Sequence, residues 1–131
     1  MRLGKDVVRV GDRFRLGPKG EDYALRMLQE RGHRLLERNF RCPQGELDLI
    51  TWHRDTLVFV EVRARAEHAQ RHPAETVTAA KRQRMIRAAR WYLVKRQKQG
   101  APPPCRFDVV WLTARGQEIV GGGVMEGAFT A

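Results

Sequence analysis

From Leu57 to Arg63 the chain reads LVFVEVR. Val58, Val60 and Val62 fall on one face, and Leu57, Phe59, Glu61 and Arg63 on the other. Such period-two patterning, rich in β-branched residues, predicts a strand. GELDLITW, 45–52, alternates Leu47 and Leu49 with Glu46, Asp48 and Ile50. It predicts a second strand, joined to the first through the loop His53-Arg54-Asp55-Thr56. HRLLERNF, 33–40, is read as a strand on thinner patterning, and RFDVVWL, 106–112, as another.

Helical spacing occurs twice. Ala24, Leu25, Met27 and Leu28 predict a helix from about Pro18 to Arg31, with Pro18 at a first helical position and Gly32 as the stop. Glu21 lies four residues before Leu25 and seven before Leu28, so it points along the same side. Met85, Ala88, Ala89, Tyr92 and Leu93 predict a longer helix from about Pro73 to Gln97, ended by Gly100 and by Pro102 to Pro104. Residues 1–16 read as a flexible basic arm, with Arg2, Lys5, Arg9, Arg13 and Arg15 against Asp6 and Asp12. A Gly-rich tail, GGGVMEGAFTA, closes the chain. The order helix, three strands, helix, strand predicts an α/β or α+β domain over residues 17–131, with helices flanking a mixed sheet. A chain of 131 residues is long enough to bury one such core.

The hairpin can be registered by arithmetic. If Trp52 faces Leu57, paired numbers sum to 109, which sets Asp48 opposite Glu61 and Glu46 opposite Arg63. Opposed side chains stand roughly 4.5–5.5 Å apart at Cβ, where two ionised carboxylates repel. Three remedies exist: a proton on one acid, an intervening cation such as Arg63, or a divalent metal of the Mg²⁺ kind. A structural Asp48–Arg63–Glu61 cluster and a metal site are both compatible with this spacing.

Charge changes the picture. Lys and Arg number 25 against 15 Asp and Glu, a net charge of +10, and this basicity points to a polyanion as partner. Between Thr76 and Phe107 there is no acid, while Lys81, Arg82, Arg84, Arg87, Arg90, Lys95, Arg96, Lys98 and Arg106 crowd the span. This one-signed helix is expected to hold phosphates without reading sequence. Trp52, Trp91 and Tyr92 could stack on bases, although aromatic residues at such spacings are more often core. No apolar run is long enough for a membrane span, no secretory signal is visible, and Cys42 and Cys105 stand alone. The expected compartment is the cytoplasm.

The blocks GEDYALRMLQERGHRLLERNFRCPQGELDLITWHRDTLVFVEVRAR, TVTAAKRQRMIRAARWYL and CRFDVV together resemble the YraN-like proteins. These are small bacterial proteins assigned to the PD-(D/E)XK, or restriction-endonuclease-like, superfamily, and they are similar to archaeal Holliday junction resolvases. The resemblance implies an αβββαβ core and an Mg²⁺- or Mn²⁺-dependent endonuclease acting on DNA rather than RNA. It implies Asp48 and Glu61 as metal ligands, Glu21 as an assisting acid, Arg63 at the position of the motif lysine, branched or flapped substrates, and a homodimer. Arg63 departs from the lysine of the superfamily motif. It can clamp a phosphate but cannot act as a general base. Lys81, one turn before Met85, is a candidate to reach the site, and otherwise a phosphate contact. The alternatives are a nucleic-acid-binding module on a nuclease fold with weak or absent catalysis, and a basic scaffold protein.

Overall fold

The computed structural model describes residues 8–10, 13–96 and 100–131. Two short strands, β1 (Val8–Val10) and β2 (Arg13–Arg15), precede helix α1 (Pro18–Glu30) and strands β3 (Arg34–Cys42), β4 (Gly45–His53) and β5 (Thr56–Ala66). Helix α2 (Ala79–Arg96) then leads to β6 (Cys105–Arg115) and β7 (Glu118–Phe129). From Pro18 the order is the expected one, and the fold is an α+β mixed sheet with helices on both faces.

Three expectations change. Part of the residue 1–16 arm lies in the sheet: β1 pairs with β2, and Phe14 of β2 meets Ala64 of β5. The rest of that arm, 1–7 and 11–12, lies outside the described residues. The second helix starts at Ala79 rather than Pro73, because Thr78 caps it. The Lys81 N–H donates to Thr78 Oγ1 at 3.2 Å, and residues 73–76 form a separate 3-10 turn. The Gly-rich tail is strand β7, antiparallel to β6. Trp111 of β6 lies across Gly123, where a Cβ would come within 2.4 Å of the indole. Here glycine, a poor strand former, is what lets the strands approach.

β5 is central, with β4 antiparallel on one edge and β6 parallel on the other. The parallel pair needs a crossover, and α2 supplies it. Helices on both faces explain why β5 is apolar on both. Leu57 and Phe59 pack with Met85, Ala88, Ala89 and Tyr92 of α2, while Val58 and Val60 pack with Ala24 and Leu28 of α1. Phe59 is fully buried against Tyr92 and Phe107, with ring centroids 5.9 and 5.5 Å away.

The β4–β5 register is the one arithmetic sets: His53↔Thr56, Trp52↔Leu57 and on to Leu49↔Val60, each summing to 109. The ladder then stops. Neither Asp48 with Glu61 nor Glu46 with Arg63 is paired in it, and on the other edge of β4 Glu46 opposes Arg41 of β3 and holds its guanidinium at 3.4 Å. On the β3 side, Arg38↔Leu49 and Phe40↔Leu47 are paired, and the position between them belongs to Asn39 and Asp48. Asn39 has φ 55°, a left-handed conformation that Asn tolerates. The backbone therefore kinks at Asp48, and Leu47 joins the cluster facing α2 although Leu49 belongs to that facing α1.

Candidate metal centre and its basic surround

The kink gives Asp48 its role. β5 continues beside β6 to Ala66, but β4 has left its other edge after Val60 and β2 rejoins only at Ala64. A backbone N–H in that gap has no ladder partner, and an unsatisfied donor there would be costly. Asp48 supplies the acceptor: the Val62 N–H donates to Asp48 Oδ2 at 2.8 Å. The carboxylate thereby closes the parted hairpin and is drawn toward Glu61.

Glu61 is 1 % exposed on the face of β5 that α2 covers, and Arg63, two residues on, is 6 % exposed. Arg63 Nε stands 3.1 Å from Glu61 Oε2, and Lys81 Nζ of α2 stands 3.7 Å from the same oxygen. The Asp48 carboxyl lies close enough to Glu61 for the two acids to act on each other directly. Although Asp48 as a residue is half-buried, its carboxyl is desolvated. Burial first, then the charge and hydrogen bond of Glu61, hold its pKa well above the ordinary carboxylate value. The Val62 N–H and Lys81 pull the other way without prevailing. The ionised form of Asp48 is thereby disfavoured, as expected of an acid set beside a second one.

The structure thus brings together Asp48, Glu61, Arg63 and Lys81. Glu21 is committed elsewhere: Arg38 Nε holds its Oε1 at 3.4 Å, while Arg38 also reaches Asp22 at 2.7 Å. This tie binds the start of α1 to β3. Among the described residues no three His, Cys, Asp or Glu side chains are grouped to hold a metal ion. The remaining pair still suits a hard cation. Both donors are carboxylate oxygens, and Mg²⁺ is commonly held by one or two carboxylates with substrate oxygens and water completing its shell. A cation between them would also relieve their repulsion.

Lys81 is the residue that patterning undervalued. Its position one turn before Met85 places it at the margin of the buried side of α2, and the packing of α2 on β5 carries it to Glu61. The other cations of α2 sort themselves by partner. Arg82 donates to the Val77 carbonyl at 3.1 Å and lies over the Phe129 ring. Arg96 is bonded to Glu37 at 3.0 Å, and Lys95 lies over Trp91. Arg84, Arg87 and Arg90 make no ion pair with another described residue. Tyr92 is core, edge-on to Phe40 and Phe59, and Trp52 is half-buried against the same cluster. Trp91 keeps part of its ring at the surface.

Comparison with known proteins gives a consistent result. The model of a family described as "Uncharacterised protein family UPF0102" matches residues 20–112. The UPF0102 protein HEAR0176 of Herminiimonas arsenicoxydans is 50 % identical over 99 residues, covering 76 % of this chain and 77 % of the relative. A UPF0102 protein of Moorella thermoacetica is 43 % identical over 119 residues, covering 89 % and 97 %. One from Janthinobacterium sp. is 51 % identical over 94 residues, covering 72 % and 74 %. No described helix is long and apolar enough to cross a membrane.

Proposed function

This chain belongs to the UPF0102 family, and we propose that it is a metal-dependent endonuclease that hydrolyses DNA phosphodiesters, with flapped or branched DNA as its preferred substrate. The observation that carries this reading is the Asp48–Glu61 pair, two acids brought together at the gap in the β4–β5 ladder, with Asp48 anchored on the Val62 N–H. Asp48 and Glu61 would hold Mg²⁺ or Mn²⁺, and when bound such an ion polarises a phosphoryl oxygen and lowers the pKa of water.

The chain's own residues supply the rest. Val62 fixes the Asp48 carboxylate through its N–H, so this ligand needs little reorganisation. Arg63 stays charged at any working pH and offsets negative charge developing on the phosphoryl group. It cannot take a proton. Lys81, beside the same Glu61 oxygen, is the second cation at the site. Arg84, Arg87 and Arg90, which make no ion pair with another described residue, hold backbone phosphates along α2.

A second reading has one observation in its favour. Glu21 is tied to Arg38, and Glu61 already carries two cations, which fits a nucleic-acid-binding module with weak or no catalysis. Labelled linear, flapped and four-way DNA, incubated with Mg²⁺, Mn²⁺ or EDTA beside Asp48→Asn, separates the two. Metal-dependent nicking lost in the variant supports the enzyme. Salt-sensitive binding without nicking leaves only the module.

A further inference from the structure

The outer flank of α2 carries a feature that the metal centre does not use. Gln44, on the β3–β4 turn, faces Arg87, Arg90, Trp91 and Val94 across a cavity of about 440 Å³. Its floor is apolar: the half-exposed ring of Trp91, already covered by Lys95 Nζ at 5.6 Å, and Val94, which is 81 % exposed. Its rim holds the two guanidiniums, which no described acid neutralises. We propose that this cavity binds one unpaired nucleotide of a DNA strand, with the base against Trp91 and Val94 and the adjoining phosphates on Arg87 and Arg90. The inference rests on the reading of DNA as the substrate and names the part of it that is recognised.

The chemistry of the cavity selects this occupant. An apolar peptide side chain would cover the floor but would bring no charge to the two arginines. An acidic peptide would neutralise the arginines and leave the floor wet. A nucleotide presents a flat, weakly polar face and an anionic edge together, and aromatic stacking beside cationic side chains is how single strands are held without reading sequence. The Gln44 amide, donor and acceptor at once, can serve the edge of any base. Volume agrees, since about 440 Å³ lies in the range of small-ligand pockets rather than of a groove for a helix.

Position gives the cavity a purpose. α2 rises about 1.5 Å per residue, so Trp91 lies about 15 Å along the helix from Lys81. That is about four stacked steps of one strand at 3.4 Å each. A continuous duplex keeps its bases stacked and has none to offer there. A flap, gap or junction exposes one at little cost.

The test reads binding in EDTA, where no cleavage intervenes, with the full chain and two labelled DNAs: a blunt duplex and the same duplex carrying a single-stranded flap. The expected result is a preference for the flap of roughly tenfold, the worth of one base stacked on an aromatic ring. Val94→Asp should reduce that ratio to about one, and its exposed position keeps the fold intact. Trp91→Phe should retain the ratio and Trp91→Ala lose it. A flap preference that Val94→Asp leaves unchanged overturns this inference alone. So does poly-glutamate that displaces the flap as well as single-stranded DNA does. Absence of any DNA binding overturns the nucleic-acid reading as well, whereas a chain that binds in this way but never cuts overturns only the nuclease.

Discussion

Lys81 Nζ stands 3.7 Å from Glu61 Oε2, the oxygen that Arg63 Nε holds at 3.1 Å. A strand and a helix thus deliver two cations of different character to one buried acid. The arginine is a planar, forked cation, and the lysine a compact ammonium on a flexible stem.

If Lys81 supports the chemistry through its charge, Lys81→Met should lower kcat on flapped DNA by roughly 10²–10³-fold. Lys81→Arg should recover most of that loss, because the charge is restored. A Lys81→Arg variant as slow as Lys81→Met would show that charge alone is not what the site needs.

Arg63 has a structural duty as well. Removing one member of a buried ion pair costs about 3–5 kcal/mol where the other charge is left without compensation, and Lys81 on the same oxygen trims that loss here. Arg63→Met should therefore destabilise strongly in urea unfolding, and Glu61→Gln in the same chain should return most of the loss. Equal loss in single and double variants would show that packing, not charge, sets the cost.

Asp48 carries the opposite sign. Its folded-state pKa is raised above the unfolded value of about 3.8, so its contribution to stability is present at low pH and is lost as pH rises through the folded value. Asp48→Asn keeps an oxygen for the Val62 N–H without the charge. It should raise Tm relative to wild type, with a gap that widens from pH 4 toward pH 8. Mg²⁺ should raise the Tm of the wild type and leave the variant unchanged.

A second titrating group lies on the other face of the hairpin. His33 and His53 are stacked with centroids 4.0 Å apart, His33 Nδ1 meets Thr51 Oγ1 at 2.7 Å, and Arg106 reaches His53 Nδ1 at 2.9 Å. Burial first, then the neighbouring His53 and Arg106, lower the His33 pKa to about 4, against a small opposing pull from Glu126. Because the unfolded chain binds the proton more readily, stability falls as pH drops from 6.5 toward 4, by up to about 3 kcal/mol. Urea midpoints of wild type and His33→Gln across that window check it: the variant should show the shallower decline.

The free and the committed arginines of α2 should separate in salt titrations of DNA binding. Each phosphate contact adds about 0.9 to the slope of log K against log salt. Arg84→Ala should remove about one such unit, whereas Arg96→Ala, whose guanidinium is held by Glu37, should change the slope less.

Much of this architecture is legible in the chain alone. Period-two patterning through Val58, Phe59 and Val60 marks β5 with both faces buried, and a short loop makes the register of 109 a matter of counting. Pro18 and Gly32 bracket α1 for local steric reasons. β7 was hidden because its glycines have no pattern, and their value is a close approach to Trp111. Thr78 as the start of α2 was masked by Pro73, a reasonable start signal that the chain uses for a separate turn.

By itself the sequence determined which carboxylates share a hairpin, Asp48 and Glu61, and which helix carries the positive charge, because strand register and composition are local properties. Only the tertiary structure decided what each of them meets. The parting of β4 from β5 turns Asp48 into the acceptor of the Val62 N–H, the packing of α2 on β5 swings Lys81 onto Glu61, and the closure of α1 on β3 ties Glu21 to Arg38. Those partners are 14, 20 and 17 residues apart in the chain, and no local period encodes a contact between elements that meet only when the core closes.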